Sequence, residues 1–182
     1  INYFVMLAYS LLMLKEFFLK DKLKQNIMLY AYSHEFLFLF FTFFLFGISG
    51  NSLASMFNFT TIFYTLFSIM SFLIFEITRK VRLPEEENQH IETYSQAMGL
   101  KKASLTALLH LIAASLFFII IALINGFHYS ALILIILVSL FPLYYIFYLL
   151  KAPFKGLPKK AENASATYML VAHLLIIIFS LV

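Results

Sequence analysis

The sequence contains no cysteine and no tryptophan. Disulfide frameworks, thiolate metal sites and cysteine nucleophiles are excluded at the outset. Charge is scarce too: Asp, Glu, Lys and Arg make up 12% of the 182 residues, against 63% hydrophobic residues. The mean hydropathy is +0.92. A soluble domain carries about 25% charged residues, so this composition excludes an ordinary soluble fold and assigns the chain to lipid. Four prolines and five glycines are too few for a low-complexity linker, and no internal repeat is visible. There is no initiating Met, basic n-region or cleavage pattern at the start. Ile1 opens inside an apolar run, as expected of a fragment that lacks its N-terminal part.

What is present is a succession of apolar stretches. A helix needs roughly 20 apolar residues to cross the hydrocarbon core, and residues 1–18, 27–48, 57–75, 104–125, 129–150 and 166–182 approach that length. The first looks truncated. Runs such as Leu132 to Leu140 are apolar on every side, whereas a membrane barrel strand alternates apolar with polar residues. The expected fold is therefore all-α: a polytopic transmembrane bundle of about six helices, forming one domain over 1–182. Pro142 is expected to kink the fifth helix, which a bundle tolerates when neighbours satisfy the freed carbonyl.

All 13 basic residues fall around alternate connections. Lys15, Lys20, Lys22 and Lys24 surround the first, Arg79, Lys80, Arg82, Lys101 and Lys102 the third, and Lys151, Lys155, Lys159 and Lys160 the fifth. The second, Gly47-Ile-Ser-Gly-Asn-Ser, and the fourth, Asn125-Gly-Phe-His, carry no charge. The positive-inside rule makes the three charged connections cytoplasmic, in what is expected to be a bacterial or archaeal plasma membrane. The net charge of +4 is dispersed between apolar segments, so anionic lipid or a phosphorylated substrate is the expected partner and nucleic acid is not. The nine acids also gather near this side, which the rule does not require.

The third connection, 76–103, is the longest and places six charged side chains between Glu76 and Glu86. On a continuing helix, Glu76, Arg79 and Lys80 share one face at i, i+3 and i+4. Pro84 suits a first helical position, the acids 85–87 a first turn and Gly99 a stop. This predicts a short surface helix from Pro84 to Met98 with Ile91, Tyr94 and Met98 on one face. Clustered Glu residues can hold Mg²⁺ while Arg and Lys contact phosphate oxygens; the alternative is a solvated loop whose charges pair at headgroup level. In the second stretch, Ser33-His34-Glu35 either faces the bundle interior or marks the interfacial start of a helix beginning near Phe36; ionisable groups at such depth are costly without a cavity or partner. His110 and His173 lack ligand-like spacing and are expected to bond across helices. The abundant Phe and Tyr could line an isoprenoid tunnel or simply face lipid. The glycosylation matches at Asn58-Phe-Thr and Asn163-Ala-Ser are ascribed to chance.

The segment Phe75-Glu-Ile-Thr-Arg-Lys-Val-Arg-Leu-Pro-Glu-Glu-Glu, followed by Glu92-Thr-Tyr-Ser-Gln-Ala-Met-Gly, resembles the second cytoplasmic motif of UbiA-type intramembrane prenyltransferases. The resemblance is closest to a branch in which Glu-x-x-Arg-Lys followed by Pro-Glu-Glu replaces the usual aspartates. It implies that the six stretches correspond to helices four to nine of that fold, around a cavity capped by the charged loops. It further implies transfer of an isoprenoid chain from a polyprenyl diphosphate to an acceptor, often aromatic, with Mg²⁺ on the diphosphate. Carried onto this chain, Glu76 and Glu86 would assist Mg²⁺, Arg79, Lys80 and Arg82 would contact the diphosphate, Tyr94 would lie near the reacting chain, and His34 and Glu35 would line the cavity. Lys80 stands where the family's second aspartate stands, and Glu86, seven residues before Thr93, is the other candidate for that role. The family's first acidic motif lies in a region outside this chain. The other class considered is a non-catalytic or transport membrane protein binding a lipid or isoprenoid in the same cavity. A phosphatidyltransferase of the CDP-alcohol type is disfavoured because its Asp-Gly and Ala-Arg signature does not occur.

Overall fold

Helix starts follow from local chemistry. The Asn26 side chain accepts the N–H groups of Met28 and Leu29, and Asn58 accepts that of Thr61 at 2.8 Å. Thr93 caps through the Gln96 N–H and His128 through that of Ser130. Each cap satisfies a donor that the first helical turn leaves orphaned. In the computed structural model, which describes residues 2–48, 57–87 and 92–181, the regular elements are all helical. They are α1 (Asn2–Leu14), α2 (Lys20–Lys24), α3 (Ile27–Glu35), α4 (Leu37–Ile48), α5 (Phe59–Arg79), α6 (Tyr94–Met98), α7 (Leu100–Ile124), α8 (Tyr129–Lys151) and α9 (Leu157–Ser180).

Five segments are long and apolar enough to cross a membrane: Ile27–Leu45 (α3 and most of α4), α5, α7, α8 and α9. The first expected stretch yields only α1, an apolar helix of 13 residues. At 1.5 Å per residue it covers about 20 Å, short of the ~30 Å core. α8 runs through the buried Pro142. α9 starts at Leu157 rather than at 166, because its first turns carry Lys159, Lys160 and Glu162 and hydropathy detects only the part that enters lipid. The chain is thus a polytopic helical membrane protein.

The last four long helices form a ring in which α5 packs on α7, α7 on α8, α8 on α9 and α9 back on α5. Consecutive members run antiparallel, so the 80–99 and 152–156 connections meet at one end. α1 pairs with α4, and α3 and α4 lean on α5. Inside the ring the contact stripes are small or weakly polar: Ala103, Ala107 and Ala114 on α7, Ala161, Ala164, Ser165 and Ala172 on α9, and Thr61, Thr65, Ser68 and Ser71 on α5 are all buried. Outside, α7 exposes Leu105, Leu109, Ile112 and Leu116, and α8 and α9 do likewise with Leu137, Leu140, Leu170 and Leu174. Large apolar side chains outward and small residues at helix contacts is the pattern lipid selects, since hydrocarbon tails offer no hydrophobic drive and close backbone approach must supply the attraction. Two buried hydroxyls bond locally, Thr65 to the Thr61 carbonyl and Thr78 to that of Ile74.

The surface helix expected from Pro84 to Met98 is not continuous. Pro84–Glu86 form one 3₁₀ turn, Glu87 and Thr93 are extended, and α6 begins at Tyr94. The cause is visible in the hydrogen bonds: the Glu87 carboxylate accepts the hydroxyls of Thr93 and Ser95 at 2.6–2.9 Å instead of facing a helical first turn. Ile91, part of the expected face, lies outside the described residues.

Candidate functional site

The site grows from the last turn of α5. Ile77 and Thr78 point inward and are buried, which turns Glu76, Arg79 and Lys80 to the charged end. The i, i+3, i+4 spacing brings them together: Lys80 Nζ lies 2.8 Å from Glu76 Oε1, and Arg79 Nε donates to Oε2 at 3.1 Å. Such pairs contribute only about 0.2–0.5 kcal/mol each to a helix, so the fold does not depend on them. They hold two cations around one carboxylate.

Tyr94 sits beneath this group. Its backbone N–H donates to the Lys80 carbonyl at 3.0 Å, and its side chain is 1% exposed. Burial pushes the Tyr94 hydroxyl well above its ordinary value; the charges of Glu76 and Glu35 add to the rise and Arg79 opposes it. Glu35, Glu76, Arg79 and Tyr94 therefore share one neighbourhood. α3 runs from Ile27 to Glu35 and α4 begins at Leu37, so Glu35 occupies the last turn of one helix just before the start of the next. Glu35 is half-buried and makes no ion pair among the described residues.

The remaining expected residues go elsewhere. The Arg82 guanidinium folds back on the Val81 carbonyl at 2.7 Å, and its backbone N–H donates to Ser95 Oγ. Glu86 Oε1 accepts the Gly156 N–H at 2.9 Å, and Oε2 accepts that of Leu83 at 3.5 Å. Gly156, at φ 80°, caps the start of α9 in a conformation that suits glycine. Glu86 is thus a strap from the long loop to a helix N-terminus, where negative charge is favoured. His34 donates Nδ1–H to the Tyr30 carbonyl at 2.9 Å and lies against the Tyr30 and Phe17 rings.

Mg²⁺ prefers near-octahedral oxygen ligation with few protein carboxylates. Both Glu76 oxygens face cations, those of Glu86 take backbone N–H groups, and Glu87 takes hydroxyls. No group of three or more His, Asp or Glu side chains that could hold a metal occurs among the described residues. As arranged, the oxygens of these carboxylates are engaged by protein partners.

Two cross-helix bonds meet the expectation for the lone histidines. Because a carbonyl can only accept, the contacts of His110 Nδ1 to the Thr106 oxygen and of His173 Nδ1 to the Met169 oxygen place the proton on Nδ1. Nε2 is then the acceptor, for Tyr32 O–H at 2.6 Å and for Ser68 O–H at 3.3 Å. Sequence reasoning identified the histidines but neither partner. It also missed Glu87, Thr93 and Ser95 as a unit. Compared with models of known families, with curated proteins and with solved structures, the chain matches none.

Proposed function

We propose that the protein is a prenyltransferase-like membrane protein that binds a polyprenyl diphosphate at the charged end of its bundle, which faces the cytoplasm. The observation that carries this reading is the pairing of Arg79 and Lys80 around the half-buried Glu76, directly above the buried Tyr94. A diphosphate brings more negative charge than one carboxylate and can take over both cations as charge-assisted donors. Arg82 has further guanidinium N–H groups that can join them, since its bond to the Val81 carbonyl uses one. The isoprenoid chain extends toward the membrane, with the protonated Tyr94 hydroxyl near its reacting end and Glu35 as the carboxylate left without a cation. In the transfer, the bond from the prenyl carbon to oxygen breaks, diphosphate leaves with the electron pair, and the acceptor carbon bonds to the prenyl carbon and loses a proton. A second reading, binding or transport of the same lipid without turnover, is favoured by the engagement of Glu76 and Glu86 by protein partners.

The test is incubation of the purified protein with labelled prenyl diphosphates of several chain lengths, with and without Mg²⁺. Binding is expected, and Arg79→Ala with Lys80→Ala weakens it at least tenfold, as loss of a charge-assisted bond of about 1.5–3 kcal/mol requires. Binding without transfer to any aromatic acceptor selects the second reading. Absence of binding at every chain length overturns both.

A further inference from the structure

The charged end holds a cleft apart from the Glu76 group. It lies between the start of α7 and the end of α8, has a volume of about 480 Å³, and is lined by Leu100, Lys101, Leu149, Leu150, Lys151 and Pro153. We propose that this cleft binds an anionic phospholipid, with the two lysines on its phosphate and the leucines against its upper acyl chains.

Three observations converge on that occupant. The cleft sits at the ends of apolar spans: Leu100 opens one membrane-spanning helix and Lys151 closes the next, and the ends of such spans are where the hydrocarbon core gives way to headgroups. Its lining divides as a lipid divides, with an apolar floor that includes the buried Leu149 below two exposed cations. Its charge is uncompensated: the ion pairs among the described residues are Glu76 with Arg79 and Lys80, and Glu162 with Lys159, and none involves Lys101 or Lys151. Lys151 instead rests 6.0 Å from the centroid of the Phe147 ring. Two unpaired ammonium groups on an apolar floor at a helix–helix seam match a phosphodiester that carries acyl chains. A zwitterionic headgroup would bring its own cation against them. This site does not rest on the prenyl diphosphate reading.

The experiment is native mass spectrometry of the purified protein with phosphatidylglycerol or phosphatidylcholine added. The wild type retains phosphatidylglycerol in preference. Lys101→Gln and Lys151→Gln each lower that retention about fivefold, and together roughly 25-fold, whereas Lys101→Arg with Lys151→Arg preserves it. Lys20→Gln with Lys22→Gln, on another connection, leaves it unchanged. Equal retention by the double Gln variant overturns the assignment, as does an equal loss in the Lys20 and Lys22 control or displacement of the lipid by inorganic phosphate. Should the Gln variants lose their fold, the same question is decided on the wild type: raised salt must release phosphatidylglycerol, and its failure to do so counts against the lysines.

Discussion

Replacing Glu86 by alanine removes the carboxylate that accepts the Gly156 N–H at 2.9 Å and, more weakly, the Leu83 N–H at 3.5 Å. A hydrogen bond to a charged acceptor contributes about 1.5–3 kcal/mol, and a negative charge at a helix N-terminus a further ~0.3–1 kcal/mol. Glu86 is half-buried in a loop, so the lower part of both ranges applies and Glu86→Ala should cost about 2 kcal/mol. Glutamine keeps an acceptor but loses the charge, and Glu86→Gln should cost about 1 kcal/mol. Reversible unfolding in mixed micelles of increasing denaturing detergent would read the difference, since 2 kcal/mol is roughly a 30-fold change in the folding equilibrium. Hydrogen exchange should rise at the first turn of α9 in the alanine variant and less in the glutamine variant. A metal-ligand role orders the variants differently: both would abolish Mg²⁺-dependent chemistry alike, with folding unchanged. Stability of Glu86→Ala within about 0.5 kcal/mol of wild type would refute the strap.

Tyr32→Phe deletes the 2.6 Å bond to His110, which joins α3 to α7, and should cost about 1 kcal/mol, within the range for hydrogen bonds between membrane helices; faster hydrogen exchange confined to α3 would check it. Tyr94 supplies a dependence on alkaline pH, because its hydroxyl titrates above the ordinary value in the folded protein and near 10 in the unfolded chain. As pH passes about 10 the unfolded state loses this proton first, so the stabilisation is complete below that pH and falls above it by up to 1.36 kcal/mol per unit. Wild type should therefore lose stability relative to Tyr94→Phe only above pH ~10, and parallel curves across that range would count against a buried, protonated Tyr94.

Much of the fold is written locally. Side chains that cap helices stand where the starts are, the apolar lengths mark the membrane spans, and the Glu76, Arg79, Lys80 spacing gives their ion pairs without reference to anything distant. What could not be read depends on ring closure. Glu86 meets Gly156 across 70 residues and Tyr32 meets His110 across 78, and only the packing of α9 on α5 and of α3 and α4 against α5 decides such partners. The expected helix over Pro84 to Met98 failed for a different reason. Proline and acids are sound local signs of a helix start, but Thr93 and Ser95 offer Glu87 two hydroxyls in an extended backbone, and side-chain bonds of this kind compete with helical ones.

The acids that cluster with the cations have divided tasks, and that division bears on what the charged end can bind. Glu76 offsets Arg79 and Lys80, Glu162 offsets Lys159, and Glu86 and Glu87 spend their charge on N–H and O–H groups rather than on cations. Lys101, Lys102, Lys151 and Lys155 consequently keep exposed charges with no ion pair among the described residues. A carboxylate that satisfies a backbone donor still lowers the net charge but no longer competes for a lysine at contact distance. The end of the bundle therefore presents exposed, unpaired lysines even though it holds most of the acids. An anionic group, whether on a substrate diphosphate or on a phospholipid, meets cations that are unpaired or held only by Glu76, so its binding need not break the Glu86 and Glu87 bonds to N–H and O–H groups.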